Sequence, residues 1–534
     1  MKPILKHIAY TMMLLILQSS IVHADNFQTT EVNFQTTDIK VKLSKGRGTI
    51  YNLLNSISNQ TGYMFIYDSR LFDNDKVVRI PSGEFQLDKA VQIITGDIRL
   101  ETQLIGNHIL ISLPVVTEIP PAKDTTNLTK ETYTPYFTME GTIKDRITGE
   151  AVPYATISLS GINMGTVSNI EGNFKFILPD SLSGSNIKIS HLGYVTREIS
   201  AELLNGRRVT LLLDQRLIPL QEVVIRVVDP VRTLREALQK RAANYSSAPV
   251  YHTSFYREGV EYKENMSHTE AVFKIYKTGY QSSISSEQVK LLKMRKFTNI
   301  DEKDTLVAKI KSSVYSSLLL DVIKNPPDFL SPETFGLYNY SHTDITVIDD
   351  RRVLVISFTQ KEHITEPLYQ GEIFIDAATL AIVKAIFRIN PAYVKKTSDI
   401  FVLKRGKNVE IIPTSIEYMV SFKPFNDTFY VQHIRGDLNF RVRRAKRLFS
   451  SDMHAWFEMV NCETITENVT PIPRNERLPV RDILFETSYV YDEDFWGNFN
   501  TILPENEITQ IIKKYNFNNS VNPNDNKPVG QITR

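Results

Sequence analysis

Between residues 250 and 500 a series of segments alternates apolar and polar side chains: YHTSFYREGVEY, AVFKIYKTGY, RVLVISFTQ, GEIFIDAAT, LAIVKAIFRI, TSIEYMVSFK, FYVQHIRGDLNFRV and HAWFEMVNCET. A period of two sends successive side chains to opposite faces of a strand, so each segment can bury one face while the other stays polar. Segments of this kind in succession specify antiparallel sheet more tightly than any other pattern in the chain. The run from Gly371 to Asp376, a short turn and then AIVKAIFRI spell out one hairpin. Residues 250–515 are therefore expected to form a large antiparallel β domain with few helices, closed by a short helix carrying Ile508, Ile511, Ile512 and Tyr515.

At 534 residues the chain exceeds what one core organises, and several domains follow. The only cysteine, Cys462, has no partner for an internal disulfide, so the fold must stand on its apolar cores. A formal net charge of +2 gives no electrostatic case for nucleic acid. At the N-terminus, Lys2, Lys6 and His7 precede the apolar run IAYTMMLLIL, and Val22-His23-Ala24 follows a polar stretch. This is the pattern of a secretory signal peptide over residues 1–24, with cleavage between Ala24 and Asp25. The apolar run falls short of the roughly 20 residues that span a bilayer. The chain is thus expected to be exported, to the periplasm or in association with the outer membrane.

From 39 to 113 the period switches repeatedly. IKVKL reads as a strand, Ile50, Leu53, Leu54 and Ile57 fall on one helical face, and Gly62 stands where a helix stops. YMFIY and KVVRI are strands, Leu87, Ala90, Val91 and Ile94 repeat the helical spacing, and Gly106-Asn107 joins a closing hairpin. In its helix GTIYNLLNSISNQTGYMFIYD, its SGEFQLDKAVQIITG and its closing RLETQLIGNHILISL, the region 35–114 resembles the short N-terminal domain of secretins and TonB-dependent receptors. That resemblance implies a small α+β module for protein contact in the periplasm. Residues 115–135, rich in Pro and Thr, read as a linker.

Residues 136–227 carry short strands separated by Gly, Asn and Asp, the pattern of a small antiparallel sandwich. Gly141-Thr-Ile, Thr148-Gly149-Glu150-Ala-Val-Pro153, Gly165-Thr166, Asn169-Ile-Glu-Gly172-Asn-Phe174 and His191-Leu-Gly193-Tyr194 resemble the carboxypeptidase-regulatory-like domain, a transthyretin-like β-sandwich of envelope proteins in Bacteroidetes-type bacteria. In the peptidases that domain is an appendage without zinc ligands, and the stretch ATISLSGINMGTVSNIEGNFKF accordingly reads as sandwich core and turns. Asp229-Pro230 opens a connecting helix over 229–245. The hairpin after Gly371 resembles the repeated unit of periplasmic lipoprotein-carrier half-barrels, which implies a curved sheet wrapped about helices. The Asn-rich residues 516–534 read as a disordered tail.

Candidate chemistry is sparse. His363-Ile-Thr-Glu366 has the spacing of a zinc site, but Thr365 and Pro367 place it in a loop, and His433 and His454, the candidate third ligands, stand in strands. Asp492, Glu493 and Asp494 beside Phe495 and Trp496 could serve as paired carboxylates, but suit a solvated face around an aromatic anchor better. Cys462 has no orienting partner, and no nucleophile elbow, phosphate loop or dinucleotide fingerprint occurs. The run Arg441, Arg443, Arg444, Lys446 and Arg447 is the candidate contact for an anionic surface. The sequence thus points to a non-catalytic envelope interaction protein of a Gram-negative bacterium, without cofactor or metal. Its partners would be envelope proteins such as TonB-dependent receptors or anti-sigma components, with peripheral outer-membrane association. A carrier of a lipid-like ligand in the C-terminal domain and an envelope hydrolase are the alternatives.

Overall fold

A computed structural model describes residues 39–114, 136–216, 229–263, 265–298, 309–310, 313–404, 409–445, 449–481, 484, 487, 497–506 and 508–510. The expected signal peptide with Ala24 and Asp25, the linker 115–135, the acidic cluster 492–494 and the tail lie outside the described residues, as does all of the closing helix beyond residue 510. The chain divides into two compact units, residues 1–65 with 75–115, and residues 66–74 with 116–534.

The region 39–114 contains the expected strands and helices and two further strands, β2 and β5: β1 (Lys40–Leu43), β2 (Gly46–Thr49), a helix Ile50–Thr61, β3 (Met64–Tyr67), β4 (Val77–Ile80), β5 (Gly83–Gln86), a helix Leu87–Thr95, β6 (Glu101–Ile105) and β7 (His108–Ser112). β1 pairs with β5, β2 with β4 and β6 with β7, all antiparallel. Thr49 caps the first helix by accepting from Asn52 N, and Gly62 ends it in the left-handed region at φ 76°. Ile50, Leu54, Ile57, Leu87, Val91 and Ile94 are buried, so the helical spacing read in the sequence is the core face.

The second unit begins with a sandwich of two sheets. β8 (Tyr136–Asp145), β11 (Asn173–Pro179) and β14 (Arg208–Leu213) form one, in the order β11-β8-β14. β9 (Thr156–Leu159), β10 (Gly165–Val167), β12 (Asn186–Ser190) and β13 (Arg197–Ser200) form the other, in the order β10-β9-β12-β13. The sandwich is not wholly antiparallel as expected, because β14 runs parallel to β8. Parallel neighbours need a crossover, and β9 to β13 provide part of it by way of the opposite sheet. At one end Asp145, buried, accepts from the amides of Ile147 and Thr148 at 2.8 Å and from Tyr194 OH at 2.9 Å, which ties the aromatic of the His191-to-Tyr194 motif to the first turn.

After a helix Pro230–Gln239, capped by the Asp229 side chain, comes a single antiparallel sheet of ten strands. Its members are β15 (Val250–Tyr262), β16 (Asn265–Lys277), β17 (Gln288–Thr298), β19 (Tyr338–Ile348), β20 (Arg351–Gln360), β21 (Tyr369–Asp376), β22 (Ile382–Ile389), β24 (Val409–Phe425), β25 (Thr428–Arg444) and β26 (Ser451–Ile465), in the order β17-β16-β15-β26-β25-β24-β22-β21-β20-β19. The short β18 (Lys309–Ile310) and β23 (Val402–Lys404) pair separately. One face of the large sheet forms a continuous apolar core from Val289 and Met294 of β17 to Val353 and Phe358 of β20, and it takes in Leu234 and Leu238 of the helix and Leu318 and Phe329 from the segment after β18. This is the inner face. The outer face has its own clusters, which decide where the site lies.

Gly259 of β15 is one position where a side chain has no room. An added Cβ would lie 2.6 Å from the indole of Trp456 on β26. The ring packs there against Met266 and Ile508. Gly259→Ala is expected to lower stability by about 1–3 kcal/mol through overpacking, read from urea unfolding followed by tryptophan fluorescence. An unchanged midpoint would mean that the ring has another place to go.

Candidate functional site

Along β15, Tyr256 and Tyr262 join the inner core, whereas Phe255, Arg257 and Gly259 point to the outer face. The register lines up a row of alternating charge directly across five strands: Arg295 of β17 opposite Glu270 of β16, then Arg257 of β15, Glu458 of β26 and Arg435 of β25. Glu270, Arg257 and Glu458 have almost no exposed surface. The Arg257 guanidinium donates from Nε to Glu458 Oε2 at 2.7 Å, and Arg295 donates to Glu270. His433 Nε2 lies 2.6 Å from Glu458 Oε1. Arg435 makes a two-pronged pair with Asp437 at 2.7 and 2.9 Å, and His454 Nε2 stands 3.3 Å from that carboxylate.

Burial opposes the charge on Glu270, Arg257, Glu458 and Arg435, and their neighbours overcome it. Burial raises the Glu458 carboxyl, but Arg257, His433 and Arg435 outweigh it and hold the group well below the usual range. Burial likewise opposes Glu270, yet Arg295 and His268 bring its carboxyl down to about 2. For Asp437 burial again acts upward and is outweighed by His454 and Arg435. Burial keeps the His433 imidazole below its ordinary value despite the carboxylate beside it. Glu270, Arg257, Glu458 and Arg435 are thus fixed charges, each held by its neighbours.

The sandwich and a stretch near the C-terminus cover this row. Tyr154, at a left-handed φ of 58°, lays its ring 5.5 Å from that of His433 and 5.4 Å from the Arg435 guanidinium. Met164 bridges to Glu463, and Thr464 N donates to Asn163 O at 3.0 Å. Val167 of β10 packs with Phe255, Val272, Val460, Cys462 and Ile502. Burial pushes the Cys462 thiol up to about 12, consistent with a packed residue. Residues 500–506 and Ile508 run through the cleft between sandwich and sheet. Asn500 exchanges two bonds with the main chain of Ile177, at 2.6 and 3.0 Å, and Glu505 takes both Arg257 terminal nitrogens, at 2.9 and 2.6 Å.

Further along the outer face the cover ends and a polar groove of about 620 Å³ opens, lined by Glu261, Lys263, Thr414, Asn439, Arg441 and His454 among others. It leads to the end of β25, where the basic run begins. Arg441 and Arg443 are largely exposed, with Asp452 at 3.8 Å and Glu410 at 4.0 Å as their nearest acids, and Arg444 lies over the Tyr262 ring at 6.0 Å. Lys446 and Arg447 lie outside the described residues. Phe449, close in sequence, is 85% exposed.

The inner face holds a second polar cluster. Lys277 Nζ pairs with Asp321 at 2.7 Å and Glu287 at 3.1 Å, and Lys324 Nζ with Glu287 at 2.7 Å. His252 donates or accepts at Thr464 Oγ1 through Nδ1, 2.9 Å away, and its Nε2 has no protein partner. Cavities of about 30 and 10 Å³ adjoin it, each the size of a water site rather than of a lipid.

His363 and Glu366 fall in the loop after β20, and no group of three or more metal-ligating side chains occurs among the described residues. Sequence reasoning singled out Arg441, Arg443 and Arg444 and missed Arg257, Glu458, Glu505, Thr166 and Asn169. The available signal was a polar residue type, Arg257, at a position that alternation assigns to the non-core face.

Residues 139–225 match the CarboxypepD_reg-like domain family. The match covers the sandwich, including the wall of the cleft formed by Thr166 to Ile177. No curated protein matches the chain. Among solved structures, a domain described as an outer membrane lipoprotein-sorting protein from Vibrio parahaemolyticus aligns at 9% identity over 45% of this chain and 94% of its own, with a TM-score of 0.19. A DUF1329 family protein from Desulfovibrio piger aligns at 10% identity over 46% and 96%, TM-score 0.19, and a LolA superfamily protein from Nitrosomonas europaea at 8% over 45% and 94%, TM-score 0.15. At such scores these likenesses carry no argument about what the chain does.

Proposed function

We propose that the chain is an exported, non-catalytic interaction protein of a Gram-negative cell envelope, located in the periplasm or on the outer membrane. In this reading the secretin/TonB-like N-terminal module contacts envelope partners, such as TonB-dependent receptors or anti-sigma components, and the basic run Arg441, Arg443, Arg444, Lys446 and Arg447 supplies an anionic-surface contact. The observation that carries the reading is how the ionisable groups are used. In the outer-face row Arg257, Glu458 and Glu270 are buried and committed to fixed ion pairs, while Arg441 and Arg443 stand exposed near the end of β25, close in sequence to the exposed aromatic Phe449. Such a distribution suits holding and touching rather than proton transfer. The CarboxypepD_reg-like match and the N-terminal apolar run support the envelope setting.

Replacing Arg441, Arg443 and Arg444 by Ser is expected to release the protein from isolated envelopes at low ionic strength, where exposed charge acts most strongly. The wild-type chain should itself be released as salt is raised past about 0.15 M. Retention of the triple variant at low salt would remove the basic run from the contact.

A further inference from the structure

Residues 499–505 adopt neither helix nor strand, and yet Ile502 is buried to 1% exposure and Thr501 to 6%. What holds them is a set of side chains aimed at their main chain. Thr166 Oγ1 donates to Thr501 O at 3.3 Å, Arg257 Nη1 to Leu503 O at 3.2 Å and Asn169 Nδ2 to Pro504 O at 3.3 Å, while Asn506 N donates to Glu171 Oε1 at 2.9 Å. Bonds to main-chain atoms hold an extended segment whatever its side chains are; pockets for individual side chains add selectivity.

Three side chains of the segment enter such pockets. Ile502 joins Phe255, Val272 and Val460, and Ile508 packs against Trp456 and Met266. Between them the Glu505 carboxylate meets the Arg257 fork head-on. Glu458 already orients that guanidinium from behind, and the Trp456 ring lies 5.3 Å from its central carbon. Arg257 is therefore aimed at the cleft by groups outside the segment, as a receptor for a carboxylate must be.

We propose that the cleft between the sandwich and the outer face of β15 and β26 is a peptide-binding site. Residues 500–506 and Ile508 occupy it in cis, and in trans it takes a segment of the same chemistry, irregular at first and then entering a helical turn: an apolar β-branched residue, a carboxylate three positions on, and a second apolar residue three beyond that. The nearest described anchor upstream is Thr487, whose carbonyl accepts from Lys296. Residues 488–499 span at most roughly 40 Å at about 3.3 Å per residue. A segment tethered this closely competes at an effective concentration on the order of millimolar. The chain's own C-terminal stretch is then a built-in occupant that a partner must displace. This inference stands on the cleft and not on the basic run, so it survives if the anionic contact fails.

The test uses a variant that stops after Gly497 and a fluorescent synthetic peptide of residues 498–512. The expected result is saturable binding to the shortened chain, with binding to the full chain about tenfold weaker or more because its own segment competes. The peptide with Glu505→Gln should also bind about tenfold less tightly or worse, for want of the charged bond to Arg257. No binding to a shortened chain that retains its circular dichroism and cooperative unfolding would overturn the proposal. Should the shortened chain not fold, a protease site introduced between residues 488 and 495 of the full chain serves instead. After cutting, the released piece should exchange with labelled peptide, and a piece that stays bound without exchanging refutes a peptide site.

Discussion

Replacing Arg257 by Ala is expected to destabilise the second unit by about 3–5 kcal/mol, the usual result of removing one member of a buried ion pair. The guanidinium is fully buried and touches Glu458 at 2.6 Å and Glu505 at 2.6 Å. Without it Glu458 loses its chief counter-charge while having no exposed surface of its own. Exposed pairs such as Arg388 with Glu417, at 3.9 Å, contribute at most about 1 kcal/mol, and their loss should be barely measurable. The contrast decides between two accounts of the row. If it merely stabilises, the double replacement Arg257→Met with Glu458→Met should be as damaging as the single change. If it acts as a matched set, the double variant should recover to within about 2 kcal/mol of wild type, since apolar groups of similar volume tolerate the same surroundings. Urea unfolding of the full chain, followed by tryptophan fluorescence, separates the two, because Trp456 lies beside Arg257.

Mild acid should have an effect of the same order. Burial, with the charge of Lys277 adding to it, brings the His252 imidazole down to about 3, and burial with Lys384 brings His191 down to about 4. In the unfolded chain both titrate near 6.5. Below that pH the unfolded state binds protons that the folded state refuses, so stability rises with pH in this window and is lost as pH falls through it. Each such group contributes about 1.4 kcal/mol per pH unit, so a drop from pH 7 to pH 5 should lower stability by about 2 kcal/mol per histidine and about 4 kcal/mol for the two. Glu270 acts with the same sign at lower pH. Its carboxyl lies at about 2 when folded against an ordinary 4.5, so its contribution is full above about 4.5 and disappears toward 2. His252→Gln should flatten the upper part of the profile by about half. A profile flat between pH 7 and 5 would mean that these imidazoles accept protons in the folded state.

The helices and strands were legible because their cause is local. Ile50, Leu54 and Ile57 repeat at helical spacing, and Ile373 and Ile375 at strand spacing, and each set is buried as its period demands. The candidate site was not legible, for a physical reason. Alternation tells which residues avoid water, and it assigns Arg257, Glu270 and Glu458 to the face that does not. It has no way to show that a second layer, the sandwich and residues 500–506, would cover that face too. Charges then had to be buried in pairs, and pairing across five strands depends on register, which no single segment contains. The stretch ATISLSGINMGTVSNIEGNFKF illustrates the same limit. Gly172, at φ 73°, serves the turn that its sequence position suggests, and Val167 and Phe174 are core. Thr166, Asn169 and Glu171 looked like turn residues, yet they hold a segment more than 300 positions away. The parallel pairing of β14 with β8 escaped notice similarly, since a strand's pattern does not state the direction of its neighbour.

The envelope-interaction reading is tested most directly by placing a photo-cross-linking residue at position 443 in cells that express the full chain. The account predicts adducts with anionic components of the outer-membrane surface, reduced when Arg441 and Arg444 are changed to Ser. Adducts no more abundant than those from a probe at the exposed Glu198 of the sandwich, or adducts confined to cytoplasmic proteins, would contradict it.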